Sequence, residues 1–192
     1  MAETQFDKIL TASDYTIRDL AGKSSMWFRQ EVAKIRKHPI NTKSFIVADS
    51  ADVTKKLEVG RMYLFRYAPK YMDTLPIWDE YPLVLPFRST DNGFIAINFH
   101  YLPYRQRAWV LDKLMRTSGS ETQRLRVSWQ ILNNLSRVDV GAFATHRYIM
   151  ANITTPLRLI RSDDYAKAIL LPIAKMHGPQ SRSIAKIVGG WF

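Results

Sequence analysis

The 192-residue chain contains no cysteine. That excludes a disulfide framework, a thiolate metal site and a cysteine nucleophile. It also lacks a long apolar run: nothing approaches the roughly 20 residues that a membrane-spanning helix needs. The opening stretch MAETQFDKILTASDY carries early acids and no apolar core, so no secretory signal is expected there. Histidine is sparse. His38, His100, His146 and His177 have no second histidine or acid at metal-ligand spacing, and none opens an H-E-x-x-H pattern, so no zinc site and no cofactor are expected. His100 continues the apolar alternation of its segment and is expected to be structural. No G-x-S-x-G nucleophile elbow occurs. The AGKSS segment (21–25) ends like a phosphate-binding loop, but Ile17 stands where the loop's first glycine belongs.

Acidic residues are also scarce, and unevenly so. The chain has 28 basic and 17 acidic side chains, a net charge of +11. Residues 1–60 hold ten basic and eight acidic side chains, and residues 61–100 hold four of each; residues 101–192 hold fourteen basic and only five acidic. Nearly all the excess therefore lies in the C-terminal half, the expected footprint of phosphate binding. An acidic protein surface would attract the same half, and solubility alone would also account for it. With 46% hydrophobic and 12% aromatic residues the composition is that of a folded protein.

Residues 24–38 are expected to form an amphipathic helix, with Phe28, Val32 and Ile35 on one face and His38-Pro39 as its stop. Residues 61–67 alternate as a strand, Tyr63, Phe65 and Tyr67 facing one way and Met62, Leu64 and Arg66 the other. Leu83–Leu85, set between prolines, is expected at a sheet edge. Asn92-Gly93 is a hairpin signal, and residues 94–102 form the return strand with Ile95, Ile97, Phe99 and Tyr101 on one face. Helices are expected over 104–116 and 121–137, and a strand over 156–160, while 138–155 carries no clear pattern. Helix, small sheet, then helices argues for an α+β fold: a small antiparallel sheet flanked by several helices, with an N-terminal arm over 1–23 and a single basic domain over 24–192.

The strongest chemical signal is arginine among aromatics. Tyr104, Arg105 and Arg107 open the first helix after the sheet; Lys113, Arg116, Arg124, Arg126 and Arg137 follow, and the late loop adds Lys175, Arg182 and Lys186, a basic element able to close over a ligand. Guanidinium forks match phosphate geometry, and each neutralised phosphate releases counterions, so this set is the candidate nucleic-acid surface. Solvated helix faces carry arginine too. Tyr71, Trp78, Tyr81 and Tyr104 lie in loop positions, where exposed rings would let bases stack. Asp73, Asp79 and Glu80 are the one acidic group that a metal-dependent nuclease could use, but adjacent acids on a loop ordinarily face water. No enzyme activity is expected.

The central block GRMYLFRYAPKYMDTLPIWDEYPLVLPF (60–87), followed by NGFIAINFHYLPYRQRAWVLDKL (92–114), resembles small virion proteins of tailed phages related to the T-even group, the DNA end protectors. SMWFRQEVAKI (25–35) and LLPIAKMHGPQSRS (170–183) also fit. Gly60, Pro69, Lys70, Pro82, Gly93, Asn98, His100, Tyr101, Pro103 and Arg107 occupy the motif positions, of which Lys70, Asn98, His100 and Arg107 are polar enough to act. The resemblance implies a non-enzymatic DNA-binding protein of the virion, present in the host cytoplasm during assembly and infection, that rides with the packaged linear genome. Its partners would be duplex DNA ends, which it would shield from host exonucleases, with no membrane. The alternative is a structural neck, head-completion or baseplate component docking on an acidic surface of portal, neck or other virion proteins.

Overall fold

The computed structural model describes residues 53–103, 143–160 and 176–182, together with 106, 107, 109, 110, 130, 131 and 133. The strands, in chain order, are β1 (Val53–Thr54), β2 (Met62–Leu64), β3 (Trp78–Asp79), β4 (Leu83–Thr90), β5 (Gly93–Asn98), β6 (Thr145–Ile149), β7 (Leu157–Ile160) and β8 (Met176–His177). Six of them form one sheet in the order β1-β7-β2-β4-β5-β6, and β3 pairs with β8 in a separate ribbon. Every pairing is antiparallel. Among the described residues no helix reaches seven residues, so the expected α+β class with several helices is corrected to a mainly antiparallel β architecture. β7 joins β2 to β1 and β6 extends the hairpin, pairings between segments far apart in the chain that leave no local sequence signature. The expected arm over 1–23 and helix over 24–38 lie outside the described residues.

The core follows from β2. Tyr63, Phe65 and Tyr67 do share a face: all three are buried in one cluster with Val84, Phe94, Ala96, Tyr148 and Leu157. Phe65 meets Tyr148 edge-on at 5.6 Å and 89°, and Phe94 at 6.1 Å and 84°. Such edge-to-face pairs add about 0.5–1.5 kcal/mol each beyond their area burial. Met62 and Leu64, expected on the opposite face, are also buried. A strand covered on both sides loses its polar alternation, and only Arg66 keeps the outward position.

β4 was expected at an edge and stands inside the sheet, between β2 and β5. Its Pro86 is tolerated because the ladder shifts register between Pro86 and Arg88, a bulge that takes up the missing donor. The Pro86 carbonyl accepts the Gly60 N–H at 2.8 Å, where Gly60 turns the chain at φ 80°. The hairpin forms as expected, but Asp91 and Asn92 make its turn and Gly93 already pairs with Thr90.

β5 ends sooner than expected. The Asn98 side chain accepts the His100 N–H and starts a 3-10 turn over Phe99–Tyr101. Phe94 and Ala96, not Ile95 and Ile97, face the aromatic cluster. Beyond Pro103, the Arg107 N–H donates to the Pro103 carbonyl at 3.0 Å, and Gln106, Arg107, Trp109 and Val110 are helical, with Val110 buried. Gln130, Ile131 and Asn133 are also helical, with Ile131 buried. The rest of both expected helices lies outside the described residues.

Candidate functional site

Asp79 lies at the meeting of β3 and the end of β5. Its Oδ1 accepts the Tyr81 N–H at 3.0 Å; its Oδ2 accepts from Asn98 Nδ2 at 2.9 Å and stands 2.7 Å from His100 Nδ1. Asn98 Nδ2 also donates to the Tyr148 hydroxyl at 3.1 Å. All four side chains are buried. Burial pushes the Tyr101 and Tyr148 hydroxyls well above the usual tyrosine range, and the Asp79 charge adds to the rise in both. His146, whose ring stands 4.4 Å from that of Tyr101, is driven down to about 4 by burial, against the opposing pull of Asp79.

Glu80, the next residue, points the other way, and its carboxylate is divided between two basic groups. Oε1 accepts from Arg66 Nε at 3.0 Å, and Oε2 lies 3.0 Å from His177 Nε2. β8 brings His177 opposite Trp78 in register, and the two rings stack at 4.2 Å and 10°. Gly178 makes this return possible. It has φ 95°, and a Cβ there would come 2.5 Å from the Pro76 carbonyl oxygen. The Gln180 N–H then donates to that same carbonyl at 2.9 Å. Between this ribbon and the sheet lies an open cleft of about 540 Å³, lined by Arg66, Met72, Asp73, Trp78, Glu80 and His177 among others.

Of the candidate DNA-contacting residues, Lys70 is exposed in the turn at residues 70–74, its Nζ 5.3 Å from the Tyr71 ring centroid. Arg182 is exposed, at the last described position, where Ser181 and Arg182 are helical. Arg107 is buried; its Nε donates to the Leu102 carbonyl at 2.7 Å and its Nη2 to that of His100 at 3.2 Å, which braces the bend after β5. Tyr104, Arg105, Lys113, Arg116, Arg124, Arg126, Arg137, Lys175 and Lys186 lie outside the described residues. Of the four stacking candidates, Tyr71 is exposed, Trp78 is stacked on His177, Tyr81 is buried, and Tyr104 falls outside. The acidic pair does not face water. Asp79 and Glu80 are 4% and 7% exposed, held by the donors just named, and only Asp73 stands in solvent. Among the described residues, no group of three or more histidines and acids is placed to hold a metal ion.

Arg66 and His177 were not singled out as site residues. Arg66 broke the apolar pattern of its strand, which was the available signal; nothing local placed His177 beside residue 78.

These features describe a sheet-built protein of basic charge with an aromatic-walled cleft. Residues 17–189, nearly the whole chain, match the family described as Phage T4 terminal DNA protecting protein, and the chain belongs to that family of phage proteins. The family description names protection of DNA termini and not a reaction. No curated protein and no solved structure matches the chain. No helix among the described residues is long and apolar enough to cross a membrane.

Proposed function

We propose that this protein binds the ends of the linear duplex DNA carried in a phage particle and protects them from host exonucleases by occupying them, without catalysing a reaction. The family match over residues 17–189 carries the reading. The charge distribution supports it: residues 101–192 hold fourteen basic and five acidic side chains, with Arg105, Lys113, Arg116, Arg124, Arg126 and Arg137 concentrated in one stretch. Exposed Lys70 and Arg182 extend the basic set, while Arg107 serves the bend it braces. The non-catalytic part of the reading is supported by Asp79 and Glu80, whose carboxylates are taken up by protein donors and basic groups.

The test is binding to linear and circular duplexes of equal length at several salt concentrations. The expected result is tighter binding to the linear form. Affinity should fall by about 10³-fold between about 50 and 200 mM salt if roughly six phosphates are neutralised. Equal binding to both forms would remove the preference for ends. No binding at low salt would remove DNA as the partner, and would favour docking on an acidic virion protein.

A further inference from the structure

A protein that occupies DNA ends needs a feature that internal duplex cannot satisfy. An end differs from the interior in two ways. The last base pair shows a bare face, and the last nucleotide can leave the helix without unstacking two neighbours, a step that costs a few kcal/mol inside a duplex. Flat aromatic rings beside cations recognise both, with little dependence on sequence.

The turn at residues 70–74 supplies such a surface. Tyr71 is 63% exposed, and Met72 beside it 44%; they are neighbours among the four large apolar side chains left exposed in the described residues. Adjacent in the chain, the two offer a contiguous apolar contact surface, which is more informative than a single exposed side chain. The ring does not sit on a loose loop. The Tyr71 carbonyl accepts from the Thr74 and Leu75 N–H groups, both at 3.0 Å, and from the Thr74 hydroxyl at 3.2 Å. Pro69 and Pro76 bracket the turn, and Gln180 ties its far side to the β8 segment. Lys70 holds its ammonium by the Tyr71 ring, where a phosphate next to a stacked base would lie.

Met72 also lines the cleft behind the turn, so the two features are continuous. A volume of about 540 Å³ falls within the range of small-ligand sites. Its wall offers the Trp78–His177 stack, which a third flat ring would extend. Arg66 stands at its side with 53% of its side chain open to solvent and Nε held by Glu80, which orients the guanidinium.

We infer that this turn and cleft form the terminus-recognising element: Tyr71 stacks on the exposed face of the last base pair with Lys70 beside it for a neighbouring phosphate, and the cleft takes a single terminal nucleotide, its base against Trp78 and His177 and its phosphate met by Arg66. The inference rests on the end-binding reading above and names the residues that distinguish an end from internal duplex. The basic set further along the chain then supplies affinity common to all duplex DNA.

The test uses the full chain and a blunt duplex carrying 2-aminopurine at its last position, or at an internal position as the control. Wild type should quench the terminal probe and leave the internal one unchanged. Tyr71→Ala should lose the terminal quenching and about 10-fold of the affinity for linear DNA, the scale of one base–aromatic stack, with affinity for circular duplex unchanged. Tyr71→Trp should restore both. Tyr71 is exposed, so its truncation leaves the core intact. If Tyr71→Ala keeps the quenching and the preference for linear DNA, the inference is overturned while end binding stands. If wild type binds no DNA, or binds linear and circular forms alike, the end-binding reading fails and takes the inference with it.

Discussion

His146 shows how one residue's surroundings set a measurable property. Its ring is largely covered beside Tyr101 and Tyr148, with Asp79 the acid that acts on it, and its Nε2 is buried with no hydrogen-bond partner. Burial holds its pKa near 4, against 6.5 in the unfolded chain. Below about pH 6.5 the unfolded chain therefore binds a proton that the native protein refuses, so stability rises with pH across this window. The contribution is fully present above 6.5 and is lost as pH falls toward 4, by about 3 kcal/mol in all. Urea unfolding of wild type and His146→Gln at pH 7 and pH 4.5 checks it: the loss on acidification should be smaller in the variant, and parallel losses would contradict it. Little of this environment was legible in the sequence. His100 could be assigned a structural role from strand alternation, but the partner that holds it, Asp79, lies 21 residues away and was read as a loop acid facing water. Burial of a hydrogen-bonded acid and histidine depends on what the fold brings over them, and no local pattern records that.

At the level of elements, the β4–β5 hairpin was the most legible part because its signals are local: an apolar run, Asp91-Asn92-Gly93, then a second apolar run. Even there the reason for the glycine differs from the expected one. Gly93 has no positive φ; a Cβ at this position would run into the Tyr148 carbonyl oxygen of β6. The glycine serves the close approach of a strand more than fifty residues later, which the turn signal could not reveal. Gly93→Ala should therefore cost at least about 3 kcal/mol, the upper end of overpacking penalties, because backbone must move. Loss of hydrogen-exchange protection should begin along β5 and β6, and an unchanged urea midpoint would contradict it. The central position of β4 was missed for a related reason: a bulge at Pro86 removes the conflict that proline normally brings to an inner strand. β6 escaped notice because Thr145, His146 and Arg147 give its start no apolar alternation.

The whole molecule combines family membership, an excess of positive charge gathered in the second half of the chain, and an exposed aromatic turn beside a cleft. Charge was readable in the sequence as a total and as a distribution along the chain. The proposal that this charge serves DNA ends was carried by the resemblance of residues 60–87 and 92–114, since arginine counts alone also fit an acidic protein partner. The cleft was not readable at all, because it joins residues 66–80 to residues 177 and 178. The central claim is protection by occupancy, and exonuclease challenge tests it most directly. Linear duplex is incubated with the full chain at low salt, treated with a processive double-strand exonuclease, and the surviving full-length DNA is measured against time. The account predicts survival that saturates at a few protein molecules per DNA and is lost as salt is raised. Digestion at the unprotected rate, with the protein bound to the DNA, would contradict it.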